Sequence, residues 1–319
     1  MNGMQTGVAV DSPDRGRIKD DVRRVVGSAA PLYMSMIAAS VSAIVNSVVL
    51  GHTSTAALAA FALTGVVYLP AMAAVTGAVR GVMPFVASVT EDQGALRRVL
   101  GDGTWLALTV GLLGALGVAA VPLLGRATGV PEPTLDALGI FPWLMAGVVL
   151  LNSLGAMASA SLVGMERSRV VMKAGLLAAL STMVLSPLLV LGPGFLPELG
   201  LAGAGVALLV ANLAALCVNL FWLRRAVSFS VFSALRYGRS VRRTVELAKV
   251  GIPMAGTVLV KFGVLGVVAL GAARVSTAAA ASHSIATSLV GLTFTAAVAV
   301  GQAGIPLVSQ RAATQDVKG

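Results

Sequence analysis

The sequence predicts an all-α fold, a polytopic transmembrane helical bundle. Of its 319 residues, 57% are hydrophobic and only 11% are charged, where a soluble domain carries about a quarter. The mean hydropathy is +0.90. The apolar residues come in stretches near 20 residues or longer. One soluble core of this size cannot hide that much apolar side chain, so lipid has to cover part of it. A helix rises about 1.5 Å per residue, so about 20 residues cross a hydrocarbon core of about 30 Å.

Taken in order, residues 1–28 are polar and charged and are expected to form a cytoplasmic N-terminal segment. The first apolar run, 29–50, is too long for the core of a cleavable signal and reads as a retained span. Seven further spans are expected at about 57–79, 103–124, 137–163, 170–192, 200–223, 248–273 and 279–301, with a tight, almost uncharged turn at 51–56. The expected organisation is a six-helix lobe over 29–223, a basic cytoplasmic linker over 224–247, two helices of a second lobe over 248–301 and a cytoplasmic tail over 302–319. The single cysteine, Cys217, lies in an apolar span and reads as packing.

Charge placement gives an orientation. With the N-terminus inside, the inner segments hold 20 of the 23 basic residues, among them Arg23, Arg24, Arg80, Arg97, Arg98, Arg167, Arg169, Arg242 and Arg243. Arg126 and Arg274 fall outside, and Lys261 stands inside span seven. An excess of Lys and Arg in alternate loops marks the cytoplasmic side, so both termini are expected there, in a multi-pass protein of the cell (inner or plasma) membrane. The net charge of +10 is thereby spread over short loops, with no basic face of the kind that binds nucleic acid. All 13 acidic residues are expected outside the spans or at their edges.

The chain also repeats itself. Pro31 and Pro253, Ser54-Thr55-Ala56-Ala57 and Ser276-Thr277-Ala278-Ala279, and Pro84 and Pro306 are each separated by 222 residues. Spans one and seven cross in the same direction, so the repeat is parallel, with its axis along the membrane normal. Transporters built this way bind substrate near the midplane, between the lobes. A complete pair would need about 440 residues, and the second lobe here has two spans where the first has six. Zinc-protease, nucleophile-elbow, nucleotide-loop and clustered Cys/His motifs are missing from the sequence, so neither an enzyme nor a bound cofactor is expected.

The residues of the repeat also carry a resemblance. Span one from Pro31 through Gly51 to Ala57-Leu58-Ala59-Ala60 resembles the first helix, and the turn after it, of the multidrug and toxin extrusion (MATE) family. Gly164 with Arg167 to Met172, Ser186-Pro187, Pro197-Glu198-Leu199-Gly200 with Gly203-Ala204-Gly205-Val206-Ala207, and Ala281-Ser282-His283-Ser284-Ile285-Ala286 resemble later segments, in order and spacing, from about residue 25 to 310. The resemblance implies two six-helix lobes around a central cavity. It also implies export of organic, usually cationic, compounds in exchange for protons or sodium.

Against that pattern the sequence departs at the acids. The family's carboxylates in helices one, five and seven align with Asn46, Ser186 and Lys261. Only a group that changes charge couples a proton to a conformational change, so proton or sodium coupling is in doubt here. The substrate or ion-cavity candidates are Asn46, Lys261, Ser186, Ser42, Asn152 and Asn212. Asn46 lies on a stripe with Ser35, Ala39 and Ser42, while Ser35, Ala39, Ala43 and Ser47 form a small-residue ridge suited to close helix packing. Asn152, Asn212 and Asn219 are expected to bond between helices, and Gly77 and Gly81 to make a close helix contact. Arg80 and Gln302, again separated by 222 residues, are expected at the inner interface as anchors. Lys261 either snorkels to an interface or puts a fixed positive charge in the cavity, where it favours anionic substrates.

The expected partners are the lipid bilayer and a small-molecule substrate, with a partner chain or self-association completing the second lobe. A MATE-type antiporter is the first functional expectation. The alternatives are a flippase for a lipid-linked saccharide and a truncated, non-transporting membrane protein. A cysteine engineered between residues 225 and 245 should resist a membrane-impermeant thiol reagent applied to intact cells. Ready labelling there would overturn the topology.

Overall fold

The computed structural model describes residues 15–53, 55–192, 198–227 and 240–316. Ser54, Pro197, Arg236, Arg239 and Lys318 lie outside the described residues. Eight helices are long and apolar enough to cross a membrane, and no strand occurs among the described residues.

In chain order the helices are α1 (Arg15–Gly51), α2 (Thr55–Arg80), α3 (Val82–Ser88), α4 (Gln93–Ala119), α5 (Val121–Ala127), α6 (Glu132–Leu138), α7 (Phe141–Gly164), α8 (Ser168–Leu191), α9 (Gly200–Val227), α10 (Val241–Val275) and α11 (Thr277–Asp316). Several outrun the apolar spans. Helix α1 starts at Arg15 rather than at residue 29, and α4 starts at Gln93, ten residues ahead of the expected boundary. Helix α10 takes in the last residues of the expected linker. Hydropathy marks where a helix enters hydrocarbon, whereas the backbone hydrogen bonds continue into the aqueous turns. The short helices α5 and α6 were not anticipated, because neither is long enough to carry an apolar period.

Local chemistry sets several of these ends. Asp92 caps α4, accepting from the Gly94 and Ala95 N–H groups at 2.8 and 3.0 Å. Those hydrogen bonds favour its charged form and hold its carboxyl below the usual range. The Ser240 side chain accepts from the Arg243 N–H at the start of α10. Gly192 closes α8 in the left-handed conformation, with φ of 55°.

Six long helices make the first lobe. Helix α1 packs on α8, α8 on α9, α9 on α7, α7 on α4 and α4 on α2. One core joins Leu50, Val75, Val118, Phe141, Met145 and Val149, and a second joins Val82, Leu100, Met157, Leu162 and Leu223. Large apolar side chains also face outward, as at Val66, Leu113 and Trp143, which are 72%, 69% and 65% exposed. In water they would be costly; in a bilayer, hydrocarbon covers them.

Helices α10 and α11 join this lobe at one end. Gly77 of α2 and Gly81 just after its end meet Ala255 and Gly251 of α10 so closely that a Cβ added at Gly251 would collide with the Ala78 carbonyl. Gly251-xxx-Ala255 is thus the small-residue counterpart of the Gly77-xxx-Gly81 step. Beside it, Ala299 of α11 is buried with Leu32, Met83, Ala160 and Val163. This is the basic end of the bundle. Arg97 donates from Nε to the Val227 carbonyl there, and Arg23, Arg24, Arg167 and Arg169 surround one hollow with Pro306. Beyond the crossing, Val260, Val264 and Val267 of α10 and Leu289 and Val290 of α11 are exposed.

Gly251→Ala should destabilise the protein by roughly 1–3 kcal/mol, because backbone on both sides has to move. Gly256→Ala, with nothing within 4 Å of the added Cβ, should change little. Thermal unfolding of both variants in detergent measures the difference, and equal midpoints would contradict the crossing.

Candidate functional site

A cavity of about 410 Å³ lies inside the first lobe, walled by α1, α2, α7, α8 and α9 and reached from α11 by Gln302. Ser35, Ala39 and Ser42 line it from α1, spaced so that they stand above one another on one helix face. Thr76 and Arg80 line it from α2, Asn152 and Ser159 from α7, Thr182 from α8, and Asn212 and Asn219 from α9. Apolar surface such as Met36, Met72 and Leu208 separates the polar groups. An apolar wall with a few placed polar groups suits an amphipathic organic molecule.

The polar side chains are fixed by hydrogen bonds between and within helices. Asn152 donates from Nδ2 to Thr76 Oγ1 at 3.2 Å, tying α7 to α2. Asn219 donates to Ser159 Oγ at 3.0 Å, tying α9 to α7. Asn212 departs from expectation: it donates to the Leu208 carbonyl of its own helix at 2.8 Å, because the cavity, not a neighbouring helix, lies in front of it. Helix α1 approaches α8 where Gly175 faces Ser35, so the small-residue ridge packs at Ser35 while the same residue touches the cavity.

Of the six sequence candidates, Ser42, Asn152 and Asn212 lie on the cavity wall. Asn46 and Ser186 do not. They are 2% and 0% exposed, and Ser186 Oγ donates to Asn46 Oδ1 at 2.6 Å between α8 and α1. Asn46 continues the α1 stripe in sequence, but its side chain is taken up by α8. The two positions that align with carboxylates therefore meet, as a neutral pair. Lys261 is also away from the cavity wall. Its Nζ sits 3.2 Å from the centroid of the Phe294 ring, joining α10 to α11. The ring's negative face gives the ammonium a partner where a carboxylate is missing.

Arg80 and Gln302, expected as interface anchors, both face the cavity. Arg80 closes α2 next to the glycine crossing. The repeat spacing held the signal: equivalent positions of two parallel repeats converge on the axis between them. Asp102 was placed at a span edge by hydropathy, yet it is 2% exposed within α4. Its carboxylate lies near the Ser240 backbone and the Arg243 charge, and its Oδ1 has no hydrogen-bond partner among the described residues. No group of three metal-ligating side chains occurs among the described residues.

No protein-family model matches the chain. Its sequence is 26% identical over 301 residues to a probable multidrug resistance protein NorM of Aromatoleum aromaticum, covering 92% of this chain and 64% of the relative. It is 23% identical over 313 residues to the multidrug resistance protein NorM of Vibrio cholerae, covering 95% and 67%. The fold matches a solved MATE structure in complex with MaL6 at a TM-score of 0.81 and 17% identity, covering 91% of this chain and 66% of that one. The chain thus spans between 55% and 67% of the length of the relatives it matches.

Ser186→Ala should cost about 1–3 kcal/mol of stability, since it leaves the buried Asn46 carbonyl oxygen without its donor. A cycle with Asn46→Ala should return a coupling of about 0.5–3 kcal/mol. Additive effects would show that the pair does not hold α1 to α8.

Proposed function

We propose that this chain, which belongs to the multidrug and toxin extrusion (MATE) family, is a secondary transporter that exports small amphipathic organic compounds across the cell membrane. The observation that carries the reading is the first-lobe cavity, polar at fixed points and apolar between them, in a bundle whose second lobe touches the first through α2 and α10. A transporter that alternates its access needs a site in the middle of the bilayer and lobes that touch at one end at a time. Small residues let two helix backbones meet and part without unlocking side chains.

The basic end is the cytoplasmic end in this reading, because it gathers the arginines of the loops. Both termini then lie in the cytoplasm. The chain acts as a carrier rather than as a catalyst, and needs no organic cofactor. Energy comes from exchange with protons or sodium. Asn46 and Ser186 do not titrate and are bonded to one another, so this pair cannot take up and release a proton.

Proteoliposomes test this. The full chain, reconstituted with rhodamine 6G or 5-carboxyfluorescein inside, should release one of the dyes under an imposed sodium or proton gradient several times faster than protein-free vesicles. Equal rates for both dyes under both gradients would overturn the reading.

A further inference from the structure

The cavity wall carries one charged side chain among its described residues, and it is a cation: Arg80. No aspartate or glutamate lines the cavity. With no acidic side chain among the described residues of the wall, Arg80 has no ionic partner there. A guanidinium stays charged at any physiological pH, and a charge drawn away from water calls for a counter-charge. The end of α2 explains a basic residue at this point of the helix. It does not explain why the side chain faces the cavity.

A second observation comes from the other repeat. Gln302 reaches the same cavity from α11, and its buried Nε2 has no hydrogen-bond partner among the described residues. An amide N–H₂ only donates, as does a guanidinium. The two repeat-related positions therefore present donors to one space; nearby on the wall Asn219 donates to the Ser159 hydroxyl and keeps its own Oδ1 unpartnered, a neutral acceptor beside the cation. Donors from two sides, a fixed positive charge and a lack of acidic side chains together describe a receptor for an oxyanion. The surrounding methionines and leucine suit an apolar body attached to it.

We infer that the cavity selects organic anions, amphipathic molecules bearing a carboxylate, sulfonate or phosphate, with Arg80 pairing the charge and Gln302 completing the donor set from the second lobe. The inference rests on the transporter reading above. It has a structural corollary: the anion touches both lobes at once, so binding it draws α11 toward α2.

Two dyes that share a xanthene core separate the outcomes: 5-carboxyfluorescein, an anion, and rhodamine 6G, a cation. Fluorescence polarisation with the purified full chain at pH 7.4 should show 5-carboxyfluorescein bound at least about tenfold more tightly. Arg80→Gln should abolish that preference, Arg80→Lys should keep most of it, and Gln302→Leu should weaken anion binding without favouring the cation. Equal or tighter binding of rhodamine 6G by the unaltered protein overturns the inference and leaves the transporter reading in place. So does an Arg80→Gln protein that keeps the preference. Binding of neither dye, together with no gradient-driven release, overturns both. The comparison of the two dyes on the unaltered protein decides the matter even where Arg80→Gln fails to fold.

Discussion

The contact between α2 and α10 at Gly77, Gly81, Gly251 and Ala255 is made by backbone rather than by side chains, and the rest of the architecture follows from it. Arg80 stands beside this contact at the end of α2 and lines the cavity. The same approach brings α11 near enough for Ala299 to be buried against Leu32 and Met83, and for Gln302 to reach the first lobe. Hydrocarbon provides little reason for two apolar helices to leave lipid for one another, so close packing of small residues has to hold them together.

Inside the first lobe the binding energy is distributed differently. Hydrogen bonds between helices fix the wall, from Asn152 to Thr76 and from Asn219 to Ser159. Behind the wall, Ser186 and Asn46 join α8 to α1 with neutral groups, out of reach of the cavity. A carboxylate at that depth would need a counter-ion or a proton, and an amide with a hydroxyl needs neither. The cation of the second lobe meets the same constraint through the face of Phe294.

The helices were legible in the sequence because the membrane imposes a length and a polarity on each, and lipid-facing residues such as Val66 and Leu113 carry that signal directly. The ends were less legible. Gln93 and Arg15 begin helices in polar sequence, where hydrogen bonding and capping rule and hydropathy is silent. In the site, small polar residues inside apolar spans pointed to Ser42, Asn152 and Asn212, which line the cavity. They could not separate these from Asn46, one helical turn along from Ser42, because which neighbour takes a side chain depends on how the helices cross. Arg80 and Gln302 were found by their repeat spacing but placed on the wrong surface, since a one-dimensional register does not record which way a helix end faces.

Where the glycine crossing sits along α10 also has a mechanical meaning. From Gly251 the helix continues to Val275, a lever about 36 Å long at 1.5 Å per residue, so a tilt of roughly 10° about the crossing sweeps its far tip through about 6 Å. A fulcrum so near one end converts a slight rotation at a contact of bare backbone into a displacement as wide as an aromatic ring.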